Sequence, residues 1–402
     1  VSNVESMDRR DGEIDTEVVV LGAGPAGLVL ANLLRAAGIE CAVVERQSRH
    51  WIENRARAGF LAPDAVRVLR THGLAEGLLR RGREHDVCEF RGPDGGFELR
   101  YGRRGSRRVH TVYPQQALVS DLVAEFLRHG GTVHFETAAE HVGGLESERP
   151  WVLVRDRDGR ERRITGRYVA GCDGGRGVGA AAVPGSRAVR DHGITWLALL
   201  VQAPPSSPNV LYGVHPDGFA GQMPRTPEIT RYYLQCDPAD TPEDWDDARV
   251  WAALNQRLDS ARHGPLTQGP IIERGLVRLR SEIRDQLRYG ALLLAGDAAT
   301  AISPSAAKGA NLAILGAELL SRALTSAVRY GDLDGLDRYT ADYTPIIERA
   351  QEFSHWMIDL LHPPAAGDPH ADYQRVLRRS RLRDLATSRA HQDFFADNYV
   401  GL

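Results

Sequence analysis

Gly22, Gly24 and Gly27 stand in a G-x-G-x-x-G spacing directly after the apolar run at 17–21. Glycine at those places permits a tight turn, lets backbone N–H groups approach a pyrophosphate, and allows close packing of the helix that follows. Glu45 closes the next apolar run, where a carboxylate accepts hydrogen bonds from an adenosine ribose. A second group, Gly296-Asp297-Ala298-Ala299, follows the run ALLLA and precedes a long helical stretch. Asp297 would then end a strand at a ligand crevice, placed to hold ribitol hydroxyls. GDAA alone reads more simply as a helix cap. Taken with the glycine turn, it points to FAD rather than NAD as the resident dinucleotide.

These residues need an α/β frame. Residues 17–21 and 41–45 read as strands and 28–37 as a helix, which makes a βαβ unit at the start of the chain. An amphipathic helix at 115–129 is followed by strand-like runs at 132–136, 151–155 and 167–171, enough to complete a doubly wound sheet with a small antiparallel excursion. Between 194 and 236 the texture changes to short β-rich runs broken by Pro, Gly and Asp, which predicts a separate antiparallel sheet. A helix is expected at 241–258, strand-like runs at 276–295, and helices from Gly309 onward, with a loop at 363–369. The expected fold is α/β: a Rossmann-like FAD-binding domain, an inserted antiparallel β-sheet substrate domain and a C-terminal helical region. The boundaries fall at 1–184, 185–279 and 280–402.

The chain has 402 residues, 42% hydrophobic and 26% charged, which suits two or three packed units and excludes a disordered or disulfide-stapled chain. Lys plus Arg total 50 against 53 Asp plus Glu, so no cationic excess argues for nucleic acid. Cys41, Cys88, Cys172 and Cys236 form no CxxC pair and no cluster at metal-ligand spacing, which reads as a reduced, cytoplasmic, metal-free protein. No signal peptide and no membrane span is expected. Lys308 is the only lysine, and the other basic residues are arginines. A compact ammonium kept at one place, beside a helix start and the GDAA group, suggests a position where a guanidinium does not fit.

GAGPAG at 22–27, RARAG at 55–59, AGCDG at 170–174, RYY at 231–233, AGDAA at 295–299, AKGAN at 307–311 and the terminal NYVGL together resemble the flavoprotein aromatic hydroxylases. Within them the likeness is to the 4-hydroxybenzoate 3-monooxygenase group, from about Glu17 to Leu402. The resemblance implies that Arg57 reaches the FAD pyrophosphate, that Gln115, Asp297, Gly309 and Asn311 contact the ribitol and isoalloxazine, and that Arg231 is a cation near the flavin. Lys308 would bias the flavin's position and support its reduced, anionic form. Asp173 resembles the segment between FAD and the nicotinamide cofactor, and Arg176 stands where a histidine is usual. Arg46, Gln47, Arg55 and Arg280 match the remaining nicotinamide contacts, and Trp51 replaces a tyrosine. The basic stretch Arg46, Arg49 and His50 suits a 2′-phosphate, which favours NADPH over NADH.

For the substrate, the same resemblance makes Tyr212, Tyr399 and His85 a proton relay from a para-hydroxyl to solvent, with Pro304 carried over in the catalytic set. The relay matters because a flavin C4a-hydroperoxide is electrophilic and a phenolate is richer than a phenol. Arg225 and Tyr233 would hold a substrate carboxylate. Met223 stands where a serine is usual, Phe60 where a valine is, Gly221 where a leucine is, and Ser305 and Ala306 replace Thr and Gly. Trp196 matches a pocket wall, though a core tryptophan reads the same way. The implied enzyme is a homodimeric single-component monooxygenase using O2 and NAD(P)H. It would act on 4-hydroxybenzoate or a ring-substituted relative such as 3-amino-4-hydroxybenzoate. Decarboxylative hydroxylation and a non-catalytic flavin-binding regulator are the alternatives.

Overall fold

The structure, a computed structural model, describes residues 13–55, 59–102, 109–365 and 367–401. Val18–Leu21 and Cys41–Val44 are all-apolar four-residue runs, which suits strands covered on both faces. They pair in parallel, and Tyr168–Gly171 and Leu292–Leu294 extend the sheet on one side while Thr132–His134 extends it on the other. Arg288–Tyr289 adds an antiparallel edge, giving the strand order 288–289, 292–294, 168–171, 18–21, 41–44, 132–134. The helix Pro25–Ala36 begins three residues earlier than the apolar pattern suggests, because proline in a first helical turn forfeits no hydrogen bond. Its buried face packs against the long helix Gly309–Tyr330, itself backed by Asp334–Leu361.

A four-stranded layer, Glu13–Asp15, Glu161–Thr165, Trp151–Asp156 and Thr137–Gly143, forms the small excursion beside this sheet. The second large sheet has eight strands, in the order 300–301, 271–284, 187–201, 229–236, 218–226, 210–215, 87–92, 95–100. Its centre lies within the β-rich region read from sequence. Val87–Gly92 and Gly95–Arg100, however, come from the amino-terminal third, and Ile271–Arg284 runs unbroken across residue 280. The GDAA group opens no long helix directly. A single 3-10 turn at Gly296–Ala298, a two-residue strand and a second turn at Pro304–Ala306 intervene before the helix at Gly309.

Three apolar cores follow from this layout. One, rich in Val, Leu and Ala, lies around the parallel sheet and the helices flanking it. Another joins the eight-stranded sheet to the carboxyl-terminal helices and is dominated by aromatic rings, among them Trp196, Tyr212, Phe219, Tyr233 and Tyr399. The third packs the other face of the eight-stranded sheet on Trp245, Trp251 and Leu254. Among the described residues no helix is long and apolar enough to cross a membrane.

Candidate active site

At the glycine turn the three glycines play different parts. Gly22 has φ +94°, and a Cβ there would come within 2.5 Å of the Cys172 carbonyl. A Cβ on Gly27 would collide with the Gly22 carbonyl. Gly24 is the opposite case: a Cβ there meets nothing within 4 Å, and no side chain caps the helix that begins at the next residue. The protein packs against two of the glycines and leaves the third facing open space at a helix amino terminus, which fits a bound pyrophosphate. Glu45 is buried at the adjoining strand end, where its Oε2 accepts from Ala23 N at 2.9 Å and its Oε1 from Gln47 N at 2.8 Å. Asp297 is exposed on its 3-10 turn, Gln115 opens the helix Gln115–Arg128, and Gly309 and Asn311 lie in the first turn of the long helix. Asn311 is fully buried, with Oδ1 accepting from Ala62 N at 2.7 Å and Nδ2 donating to the Phe60 carbonyl at 3.0 Å. Arg57 lies outside the described residues.

The residues matched to the nicotinamide cofactor are spread over several elements. Arg46, Arg55, Arg176 and Arg280 are exposed and Gln47 is half-buried. Arg55 stacks over Trp51 at 4.6 Å, and Arg280 pairs with Glu282 at 3.1 Å. Arg49 is held by Glu53 at 2.8 Å and His50 meets Asn54, while Arg46 is exposed beside them. Asp173 accepts from Gly179 N at 2.9 Å, while its other oxygen is buried with no hydrogen-bond partner. Burial pushes its carboxyl above the usual range, against the backbone donors that pull it down.

The substrate-side residues converge. Tyr212, Gly221 and Tyr233 fall opposite one another on three neighbouring strands, and Met223 lies opposite Arg231. A small cavity is lined by Phe60, Val112, Met223, Arg225, Arg231 and Tyr233. Arg225 donates to Gln116 Oε1 at 2.8 Å, and burial, with Arg231 as a second cause, brings its guanidinium down to about 10. Arg231 is buried, 3.5 Å from Glu273, and its Nε and Nη1 have no hydrogen-bond partner among the described residues. Two buried guanidiniums beside one small cavity suit an anion there. Gly221 makes room for Phe219, whose ring tip would lie 2.7 Å from a Cβ at that position. The volume a leucine would fill at 221 is thus taken from the next residue but one on the same strand. Ser305 is buried beside Pro304, its Oγ 2.8 Å from that of Ser303.

Tyr212 and Tyr399 are both fully buried, with their hydroxyls 2.6 Å apart. Burial raises both phenols above their ordinary value, so each is neutral until a stronger base draws its proton. His85 is not joined to this pair in the way the relay reading expects. Its Nε2 accepts from Val210 N at 3.1 Å, which leaves the ring proton on Nδ1, 2.7 Å from the Tyr101 hydroxyl. Burial lowers it to about 4, so it is a neutral donor to Tyr101. Tyr101 in turn stands edge-on to Tyr399 with centroids 4.9 Å apart.

His110 is the other residue that sequence reading did not single out. It is buried on the strand facing His85, its ring 4.2 Å from Phe60 and 4.9 Å from Tyr399. Burial, then the charge of Lys308, holds it well below the usual imidazole range. Tyr101 and His110 lie in stretches without clear periodicity, and only the fold brings them to the Tyr212–Tyr399 pair. Trp196 donates from Nε1 to His362 Nε2 at 2.8 Å and packs 5.0 Å from Tyr233, so the pocket-wall and core readings of this tryptophan coincide.

The known proteins similar to this chain agree with that geometry. Residues 15–354 match a family model described as an FAD binding domain. Over 390 residues the chain is 32% identical to p-hydroxybenzoate hydroxylase of Acinetobacter baylyi, covering 96% of this chain and 95% of that one. It is 26% identical to a 3-(3-hydroxy-phenyl)propionate/3-hydroxycinnamic acid hydroxylase of Mycolicibacterium gilvum, covering 82% of this chain and 57% of that one. Among solved structures, the p-nitrophenol 4-monooxygenase of Pseudomonas putida superposes with TM-score 0.81 at 19% identity, covering 97% and 99% of the two chains. A glycine-turn α/β body joined to an aromatic, cationic pocket defines a flavin-dependent oxidoreductase. The chain belongs to the FAD-dependent aromatic hydroxylases, as an aromatic monooxygenase of the p-hydroxybenzoate hydroxylase family.

Proposed function

We propose that the protein hydroxylates a benzoate bearing a para-hydroxyl, 4-hydroxybenzoate or a ring-substituted relative such as 3-amino-4-hydroxybenzoate, using O2 and NAD(P)H. The observation that carries this reading is the hydroxyl pair of Tyr212 and Tyr399 at 2.6 Å, in the same aromatic core as a cavity bordered by two buried arginines. Bound FAD, once reduced, supplies the electrophilic oxygen from O2. Arg225 and Tyr233 anchor the carboxylate by charge-assisted hydrogen bonds, and Arg231 adds a second positive charge. Tyr212 takes the substrate hydroxyl's proton as it passes its own to Tyr399, and Tyr399 releases one toward solvent, so the ring becomes a phenolate while both tyrosines stay neutral. The aromatic walls exclude water, which guards against loss of the oxidising equivalent as H2O2.

Several finer readings rest on the same ground. Residues 1–184 with part of 280–402 would hold the flavin, and 185–279 the substrate. NADPH is favoured over NADH through the exposed Arg46 beside the strand end at Glu45, although Arg49 is already paired. A cytoplasmic site accords with four unpaired cysteines. A homodimer accords with the exposed Tyr373, Val376 and Leu377, which share one face of the helix Ala371–Thr387.

The test is oxidation of NADPH and of NADH coupled to product mass analysis, over 4-hydroxybenzoate, 3-amino-4-hydroxybenzoate, 4-aminobenzoate and 3-hydroxybenzoate. A para-hydroxylated acid that stimulates oxidation and gains one oxygen is the expected result. Loss of CO2 from the product would replace this reading with decarboxylative hydroxylation. If no acid stimulates oxidation, the anchor has been assigned to the wrong class of substrate.

A further inference from the structure

Lys308 is the chain's one lysine and among its most buried residues, 1% exposed. Among the described residues its ammonium forms no ion pair. Nζ instead donates to two backbone carbonyls near the end of the chain, those of Tyr399 at 2.9 Å and Gly401 at 2.5 Å, with the Phe353 ring 5.7 Å away. Both acceptors lie at the carboxyl end of the helix Arg389–Val400, where the last carbonyls have no partner within the helix. A cation is favoured at that end of a helix dipole.

One nitrogen serving two convergent carbonyls is a task for an ammonium, whose three donors radiate from a single atom. A guanidinium spreads its donors in a planar fork and needs more room. That accounts for lysine at this position in a chain that otherwise uses arginine.

Lys308 also precedes the helix whose first turn carries Asn311, the side chain that ties down Ala62 N and the Phe60 carbonyl. Within four residues, then, the same turn fixes Phe60 on one side of the aromatic core and the backbone of Tyr399 on the other. We propose that Lys308 is a positioning residue: it clamps the end of the Arg389–Val400 helix so that the Tyr399 hydroxyl meets that of Tyr212. This role is one of contact, carried by two of its donors, and is separate from any influence of its charge on the flavin. The link to turnover rests on the proposed relay, whereas the clamp itself does not.

The test compares the holoenzyme with K308M, K308R and Y399F by amide hydrogen exchange over residues 395–401, flavin absorbance, and the product formed per nicotinamide oxidised. In K308M the flavin stays bound while exchange in 395–401 rises by about tenfold or more, the factor that goes with roughly 1.4 kcal/mol of lost local stability. Product per nicotinamide falls and H2O2 rises, and Y399F added to K308M lowers it no further, as expected of two changes acting through one group. K308R restores the charge without the protection or the coupling. Unchanged exchange in K308M overturns the clamp, as does recovery of coupling in K308R without recovery of protection. If K308M does not fold, K308Q takes its place in the same comparison. Raised exchange in an enzyme inactive on every acid of the panel sustains the clamp and counts against the proposed function alone.

Discussion

The flavin side and the substrate side of the molecule handle polarity in opposite ways. Around the parallel sheet the core is Val, Leu and Ala, and the ligand-directed polarity comes from backbone: an uncapped helix amino terminus and a glycine whose missing Cβ leaves open space. Between the eight-stranded sheet and the carboxyl-terminal helices the core is aromatic, and buried about it are the ionisable side chains of Tyr101, Tyr212, Tyr399, His85, His110, Arg225, Arg231 and Lys308. Under the proposed function the difference follows from the tasks. A pyrophosphate carries a fixed charge that fixed dipoles can hold, whereas a phenol that must lose a proton needs groups whose own protonation can change.

The sharpest way to break that comparison is to remove one hydroxyl of the tyrosine pair. Tyr212→Phe should leave flavin binding and flavin reduction intact and lower hydroxylation by about 10²–10⁴-fold, the usual worth of a positioned proton-transfer group. Stopped-flow reduction measured beside product yield separates the two steps. An equal loss in both would show that Tyr212 shapes the pocket and moves no proton.

On the flavin side the comparison turns on two glycines. Gly27→Ala drives a Cβ into the Gly22 carbonyl and should cost about 1–3 kcal/mol of apoprotein stability as well as the flavin. Gly24→Ala meets no protein atom, so the apoprotein should melt normally while flavin affinity falls. Thermal melts with and without added FAD read both effects. A normal affinity in Gly24→Ala would move the pyrophosphate away from this turn.

How much of this was legible in the sequence divides along the same line. The glycine turn, Glu45 and the βαβ unit that carries them are local, because each lies within a few residues of the element that positions it. The strands 87–92 and 95–100 escaped notice because they join a sheet whose other members lie about a hundred residues or more away in sequence. The Tyr212–Tyr399 pair accords with the resemblance, whereas the contacts of His85 are set by the fold. Val210 N and Tyr101 fix its ring, and neither contact leaves a signature in spacing. The acceptors of Lys308 leave no mark in the sequence either, since they are backbone carbonyls, which carry no residue-type signal at all.

Met223 offers a smaller and more specific adjustment on the substrate side. It lies in the cavity wall opposite Arg231, where a hydroxyl would add a donor to a bound carboxylate. Met223→Ser should tighten binding of 4-hydroxybenzoate by about 1.5 kcal/mol, or roughly tenfold, as is usual for a hydrogen bond to a charged group. Flavin absorbance perturbation on titration measures it. Weaker binding would indicate that the methionine packs directly on the substrate ring.

The last effect concerns acid. His85 and His362 are neutral in the fold because burial lowers them to about 4 and about 3, while in the unfolded chain each takes a proton near 6.5. As pH falls below 6.5 the unfolded state binds more protons than the native one, so stability declines with acid until the native histidines titrate in turn. Melting temperature should therefore fall steadily from pH 7 to pH 5, a range in which the exposed ion pairs of the flavin side change little. His362→Gln should remove only that residue's share of the slope. The variant also loses the acceptor for Trp196 Nε1 unless the glutamine carbonyl replaces it, so the slope, rather than the absolute melting temperature, is the quantity to compare. An unchanged slope would mean that His362 stays unprotonated in the unfolded chain too or is charged in the fold. The second case would require Trp196 to give up a hydrogen bond that the geometry assigns to a neutral ring.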